Sequence, residues 1–250
     1  MKSPKLEVKN LTMSYGAYVL MRNISFSVKS SEIFLIIGGS GCGKSTLLKY
    51  LIGLKECPSG KIFYDGVDIT KEQKNFYGKF GVLYQSGALW SSLTIAENIA
   101  LPFSEFTELS KSSIDSVVEL KLSLVGLNGF GDFYPSQLSG GMKKRAGLAR
   151  AMALDPDILF LDEPSAGLDP ISAANLDDLI LEIRKTFGTT IVIVTHDLDS
   201  IFNIGDRAIY LDAESKSIIA EGRPLNLRDK PVCDKVSDFL SRKHGDHSSR

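Results

Sequence analysis

Apolar and polar positions alternate at two places near the start of the chain. Leu6 and Val8 do so within residues 6–12, and Ile24, Phe26 and Val28 within residues 24–28. A period of two predicts strands with one buried face. Residues 33–37, Ile-Phe-Leu-Ile-Ile, are continuously apolar and predict a strand buried on both faces. A glycine-rich turn follows, then a helix-forming stretch over 45–52. Short apolar runs at 80–84, 158–161 and 191–194 predict three more buried strands, and the alternation of Ile218 and Ala220 predicts a peripheral one.

The middle of the chain has a different texture. Ile114, Val117, Val118, Leu122 and Val125 recur at three- and four-residue spacing, which predicts an amphipathic helix over 112–125, with Gly126 placed to end it. Residues from about 88 to 150 therefore read as a helical insertion in an α/β core. The polar residues from Arg242 to Arg250 predict a disordered tail. No internal repeat is visible.

Composition narrows the function classes. With 250 residues and 43% hydrophobic content, the chain can bury one sizeable core. Its 29 basic and 30 acidic residues nearly balance, which argues against the broad basic face that nucleic acid requires. The three cysteines, Cys42, Cys57 and Cys233, are too scattered for a disulfide framework or a zinc cluster and suit a reducing, cytoplasmic setting. Residues 1–6 lack the apolar core of a secretion signal. The longest apolar runs fall far short of the roughly 20 residues of a membrane-spanning helix. A soluble protein is expected, with any membrane role passing through a partner.

Gly38-Gly39-Ser40-Gly41-Cys42-Gly43-Lys44-Ser45 fits the phosphate-loop pattern G-x-x-x-x-G-K-[ST], between a predicted buried strand and a predicted helix. Glycines let the backbone curl so that successive N–H groups point at phosphate oxygens, and the helix adds its positive end. Lys44 is expected to reach the β- and γ-phosphates and the Ser45 hydroxyl to ligate Mg²⁺. Alone, this motif says only that the chain binds a nucleoside triphosphate. Cys42 lies inside it, either as a small residue at a variable position or as a thiol whose alkylation blocks nucleotide entry.

The strand at 158–161 ends in Asp162 and Glu163. Such a pair is either an ordinary acidic turn after a core strand, or a Mg²⁺ ligand (Asp162) followed by a carboxylate that orients the attacking water (Glu163). Leu138-Ser139-Gly140-Gly141-Met142 narrows the class. Ser139 is a good helix N-cap, and the two glycines permit close approach of the backbone to a ligand. A second anion-binding helix start, nearly a hundred residues after the first, makes sense if it caps a phosphate held by another subunit.

On these residues the chain resembles the ABC ATPase family, over residues 5 to about 225. The resemblance implies a P-loop NTPase core of α/β class, a helical subdomain over about 88–150 and a small antiparallel β subdomain, with core segments of about 5–87 and 151–225 in one domain over 5–240. It implies ATP and Mg²⁺ as ligands, ATP hydrolysis to ADP and phosphate, and a head-to-tail dimer enclosing two ATP molecules. Nucleotide contacts would come from Tyr15, which matches the adenine-stacking aromatic, and from Gly38, Gly39, Ser40, Gly41, Cys42, Gly43, Lys44, Ser45 and Thr46. Gln85 matches the glutamine that touches Mg²⁺ and water and senses the transport partner, so the metal set is Ser45, Gln85 and Asp162. Glu163, His196 and Lys44 would be catalytic, His196 as the switch residue at the γ-phosphate. Ser139, Gly140, Gly141 and Asp169 would act in trans from the partner subunit. A lone Tyr, Gln or His is most often structural; order and spacing give these their weight. Met142 departs from the glutamine usual after the two glycines.

Within the family, residues 84–90 and 93–102, the run 138–145 with its methionine, and 164–171 resemble the ATPases paired with MCE-type, Mla-like lipid transporters. The resemblance implies an integral membrane permease and an MCE-domain lipid-binding protein as partners, no nucleic acid, and a peripheral position on the cytoplasmic face of the inner membrane. The permease would dock near residues 85–90, where Leu89 and Trp90 are either an exposed contact pair or part of the helical core. A soluble ATPase for iron–sulfur cluster assembly is the alternative; its size is similar.

Overall fold

The computed structural model describes residues 4–70, 76 and 78–241. The polar tail from Arg242 lies outside the described residues. Contacts divide the chain into two units, residues 1–73 with 194–250, and residues 74–193.

In the first unit, β1 (Leu6–Tyr15) and β2 (Tyr18–Val28) form an antiparallel hairpin through Gly16, and β4 (Ser59–Tyr64) pairs antiparallel with the other side of β1. The short β5 (Val67–Asp68) completes a four-stranded sheet of order β2-β1-β4-β5. This is the small antiparallel sheet that the family resemblance implies. Period-two patterning works here because Leu6, Val8, Ile24 and Val28 are all buried while their neighbours face outward.

β3 (Ile33–Gly38) is buried along its whole length and pairs in parallel with β9 (Arg207–Asp212), which carries β10 (Ser217–Gly222) antiparallel on its far side. The buried Glu32 accepts from Arg207 Nε at 2.8 Å and from Nη2 at 2.9 Å. That guanidinium also sits 5.0 Å over the Phe34 ring, which stacks on Phe26 at 5.3 Å and so ties β3 to β2. Around these strands lie α1 (Lys44–Leu51), α6 (Leu198–Ile204), α7 (Pro224–Asp229) and α8 (Asp234–Ser241).

In the second unit, β6 (Phe80–Leu83) pairs in parallel with β7 (Ile158–Asp162), and β8 (Thr190–Val194) follows β7 in the sheet order. The helices are α2 (Ile95–Phe106), α3 (Lys111–Leu124), α4 (Gly140–Ala151) and α5 (Pro170–Phe187). Ile95, Ile99, Phe103, Val118, Leu122 and Ala146 form one apolar cluster between α2, α3 and α4. The amphipathic helix expected over 112–125 is α3; Ser110 caps its start and Gly126, at φ +65°, follows its end. Asn98 is fully buried inside α2 without strain: it accepts from Trp90 N at 2.7 Å and donates to the carbonyls of Trp90, Leu93 and Thr94.

Three strands go beyond what the hydrophobic pattern predicts: β4, β5 and β9. β4 shows only Ile62 and Tyr64 on its buried side, β5 is two residues long, and β9 is a short run closed by acids at 206 and 212. Each is specified by its neighbour in the sheet more than by its own alternation.

Candidate functional site

The first unit contributes the loop between β3 and α1. Gly38 ends β3 at φ +149°, and a Cβ there would meet Leu211 O at 2.4 Å and Cys42 Sγ at 2.8 Å. Gly43, at φ +102°, precedes α1 and is closed in by Leu20 and Met13, the nearest Leu20 carbon lying 2.8 Å from a hypothetical Cβ. Gly39 and Gly41 behave differently: a Cβ on either meets nothing within 4 Å. The loop is therefore packed on its inner side and open on its outer side. α1 starts without a side-chain cap hydrogen bond, and a helix start is where backbone N–H groups meet an anion. Lys44 is buried, and its ammonium donates to Gly38 O at 2.9 Å and Gly39 O at 3.1 Å, placing a positive charge in the curl. Ser45 and Thr46 follow on the first turn of α1.

Tyr15 lies at the end of β1 with half its surface exposed. Its hydroxyl is 2.9 Å from Thr46 Oγ1, and Lys55 Nζ sits 3.4 Å from the ring centroid. The hydrogen bond to Thr46, then the nearby Lys55 and Lys49 charges, pull the phenol below its ordinary pKa. Of the two readings of Cys42, burial favours the small packed residue over the reactive thiol: it is 1% exposed, packed beside Gly38, and burial pushes its pKa up. His196 is exposed between β8 and α6, in a turn held by Asp197 N donating to Thr195 Oγ1 at 3.0 Å and by Asp197 capping α6.

The second unit contributes the carboxylates and the second helix start. Asp162 ends β7, and Glu163 follows at φ +48°, a left-handed conformation uncommon for a residue with a side chain. Both are buried. Lys144, on the inner face of α4, donates to Gln85 O at 2.6 Å and Glu163 O at 3.1 Å. Burial pulls its pKa down, against the Glu163 and Asp162 charges. The Gln85 side of this contact is the exposed loop after β6, whose Gly87 and Ala88 carbonyls accept from Arg150 at 3.2 and 2.6 Å.

Ser139 caps α4 by accepting from Met142 N at 3.3 Å, and Ser139 and Gly140 are exposed. Asp169 caps α5 from Ile171 N at 3.1 Å and Ser172 N at 3.0 Å; the Ser172 hydroxyl bond, then these amides, hold its carboxyl below the usual range. A groove of about 550 Å³ beside the α4 start is lined by Ser139, Gly141, Met142, Arg145, Ser172 and Glu182. Leu89 and Trp90 part company: Leu89 packs on the helical cluster, while Trp90 is 63% exposed.

Among the described residues, no group of three or more His, Cys, Asp or Glu could hold a metal ion by itself. The Ser45 hydroxyl in the first unit and the Gln85 amide and Asp162 carboxylate in the second are each oxygen donors of the kind Mg²⁺ takes. Lys144 and Arg150 escaped the sequence reading. Nothing in the run Lys143-Lys144-Arg145-Ala146-Gly147-Leu148-Ala149-Arg150 sets these two apart from Lys143 and Arg145. Among the described residues, no helix is long and apolar enough to cross a membrane.

Comparison with known proteins identifies the family. The family model described as ABC transporter matches residues 21–166. The chain is 42% identical over 221 residues to the intermembrane phospholipid transport system ATP-binding protein MlaF of Haemophilus influenzae, covering 87% of this chain and 83% of that one. It is 40% identical over 240 residues to the probable ribonucleotide transport ATP-binding protein mkl of Mycobacterium leprae, covering 94% of this chain and 68% of the relative's length. Among solved structures, the dimeric post-hydrolysis state of the ATP-binding cassette MJ0796 with ADP and Pi superposes with a TM-score of 0.79 at 29% identity, covering 87% of this chain and 98% of that one. A glycine loop packed within and open without, carboxylates at the end of β7 and a family match running through both lead to one conclusion: the chain belongs to the ABC transporter family, as an ATP-binding cassette.

Proposed function

We propose that this chain binds and hydrolyses ATP as one half of a head-to-tail pair of identical subunits, and that the pair drives a membrane permease moving phospholipid or a related lipid. The observation that carries the pairing is the exposed start of α4. Ser139 and Gly140 present a capped helix end, a natural anion site, to solvent in the single chain. An ATP on one chain's phosphate loop would be completed by that surface of a second chain. The MJ0796 cassette, similar over most of this chain, has been seen as a dimer with ADP and Pi. The lipid assignment is supported by the likeness to MlaF in Haemophilus influenzae and, at 37% identity over 239 residues, in Escherichia coli.

In this reading, Tyr15 stacks on the adenine. Residues 38–46 hold the phosphates through backbone N–H groups, the Lys44 ammonium and the hydroxyls of Ser45 and Thr46. Ser45, Gln85 and Asp162 would hold Mg²⁺, which would supply charge neutralisation for the phosphates. Glu163 orients and polarises the attacking water, and His196 contacts the γ-phosphate. Ser139, Gly140, Gly141 and Asp169 come from the partner. No covalent intermediate is needed; positioning and charge stabilisation carry the rate. Hydrolysis removes the shared phosphate and lets the pair open. The chain would work at the cytoplasmic face of the inner membrane, held there by the permease, with an MCE-domain protein in the same assembly.

The test is Glu163→Gln. It should bind ATP, turn over at least about a hundredfold more slowly, and elute as a dimer in ATP during size-exclusion chromatography. Normal turnover would remove Glu163 from its role, and a monomer in ATP would remove the pairing. Affinity purification from membranes tests the partners: a permease with an MCE-domain protein supports the lipid assignment, and a different set of partners overturns it.

A further inference from the structure

Lys144 is a buried ammonium on a face of α4 shared with Gly147 and Leu148, three and four positions on and also buried. A charge in that position is costly unless it is hydrogen-bonded, and an apolar side chain would pack there at no such cost. Its bonds explain its presence. Nζ reaches Gln85 O at 2.6 Å and Glu163 O at 3.1 Å, joining two segments that lie 78 positions apart in the chain but carry the residues assigned to metal contact and to water activation.

Both segments need holding. Glu163 sits at φ +48°, a conformation that persists only where the surroundings over-determine it. The loop after Gln85 contains Gly87 at φ +75° and Ala88 at φ +49°. Arg150 fixes the carbonyls of both, and Gly147 lets that loop lie against α4, since a Cβ there would stand 3.1 Å from Gly87 O. α4 thus grips the 85–88 loop at three carbonyls. Lys144 also reaches the carboxylate-bearing turn, at Glu163 O.

We propose that Lys144 is a positioning residue for hydrolysis, its one ammonium holding the main chain of Gln85 and Glu163 in a fixed relation so that displacement of the 85–90 loop is felt at the Glu163 carboxylate. The inference rests on the reading in which Glu163 activates water, and adds a link between that carboxylate, the helix that begins at Ser139 and the loop bearing the exposed Trp90.

The experiment measures ATP turnover and nucleotide affinity for Lys144→Met, Lys144→Gln and Lys144→Arg beside wild type and Glu163→Gln, with the dissociation constant of a fluorescent ATP analogue and a thermal melt for each. Lys144→Met should lower kcat by about tenfold or more, the scale of a misplaced reacting group, while the dissociation constant stays within about twofold. Lys144→Arg, which keeps a donor fork, should recover most of the turnover. If the methionine variant does not fold, Lys144→Gln, whose neutral amide ends one bond short of the lysine ammonium that bridges the two carbonyls, carries the same expectation. Wild-type kcat in the Met or Gln variant, an equal loss of affinity and turnover, or no recovery with arginine each overturns the proposal. Wild-type turnover by Glu163→Gln would instead overturn the functional reading and this inference with it, so the two failures are distinguishable.

Discussion

The Tyr15 hydroxyl lies 2.9 Å from Thr46 Oγ1, so a half-exposed ring at the end of β1 is pinned to the first turn of the helix that follows the phosphate loop. The bond sets the ring's edge; Lys55 Nζ covers one face, 3.4 Å from the centroid, so a stacked base must use the other face or displace it. Tyr15→Ala should raise the dissociation constant for ATP by about tenfold, within the 1–3 kcal/mol that a base–aromatic stack contributes. Tyr15→Phe keeps the ring and loses only the bond, and should stay within about threefold of wild type. Titration with a fluorescent ATP analogue distinguishes the two; equal losses would make the hydroxyl, not the ring, the contributing group.

Gly38 and Gly39 are adjacent and should fail in different ways. Gly38→Ala pushes a methyl against the Leu211 carbonyl from a left-handed backbone, and should destabilise the fold by about 3 kcal/mol, read from urea unfolding. Gly39→Ala meets nothing within 4 Å and should change stability by no more than about 0.5 kcal/mol. Its methyl would stand on the open side of the loop, so ATP affinity should fall by about tenfold or more. A Gly39→Ala protein that binds ATP normally would show that phosphate does not approach that surface.

Thiol reactivity should single out Cys233. It is exposed, whereas Cys42 is buried with a raised pKa, and burial pushes half-buried Cys57 up to about 11. A brief maleimide treatment of the native protein should give one adduct by intact mass, mapped to Cys233, with ATPase activity unchanged. An adduct on Cys42 that ATP prevents would restore the reactive-thiol reading of the phosphate loop.

Asn98 sits fully buried with its amide spent on Trp90, Leu93 and Thr94. Asn98→Ala removes the side-chain partner of Trp90 N and Leu93 O, while Trp90 O and Thr94 O keep backbone donors, and should cost about 1–3 kcal/mol of stability. Trp90 is the sole tryptophan, so its fluorescence anisotropy reports the same segment and should fall in the variant while the protein is still folded. Unchanged anisotropy would mean that α2 holds the segment without this side chain.

Much of this protein is legible in the sequence because some of its physics is local. The run 33–37 gives β3, the glycines and Lys44 give the phosphate loop, and Ser139 followed by two glycines gives a capped helix start; each is a propensity or a spacing within a dozen residues. The sequence by itself determined which chemistry is present. Only the tertiary structure decided how that chemistry is held. It buried Cys42 beside Gly38, turned Trp90 outward while Leu89 packed inward, and placed the Lys144 ammonium between carbonyls from two distant segments. Those outcomes depend on contacts between residues far apart in the chain, and a hydrogen bond to a backbone carbonyl leaves no mark on the identity of the residue that supplies it.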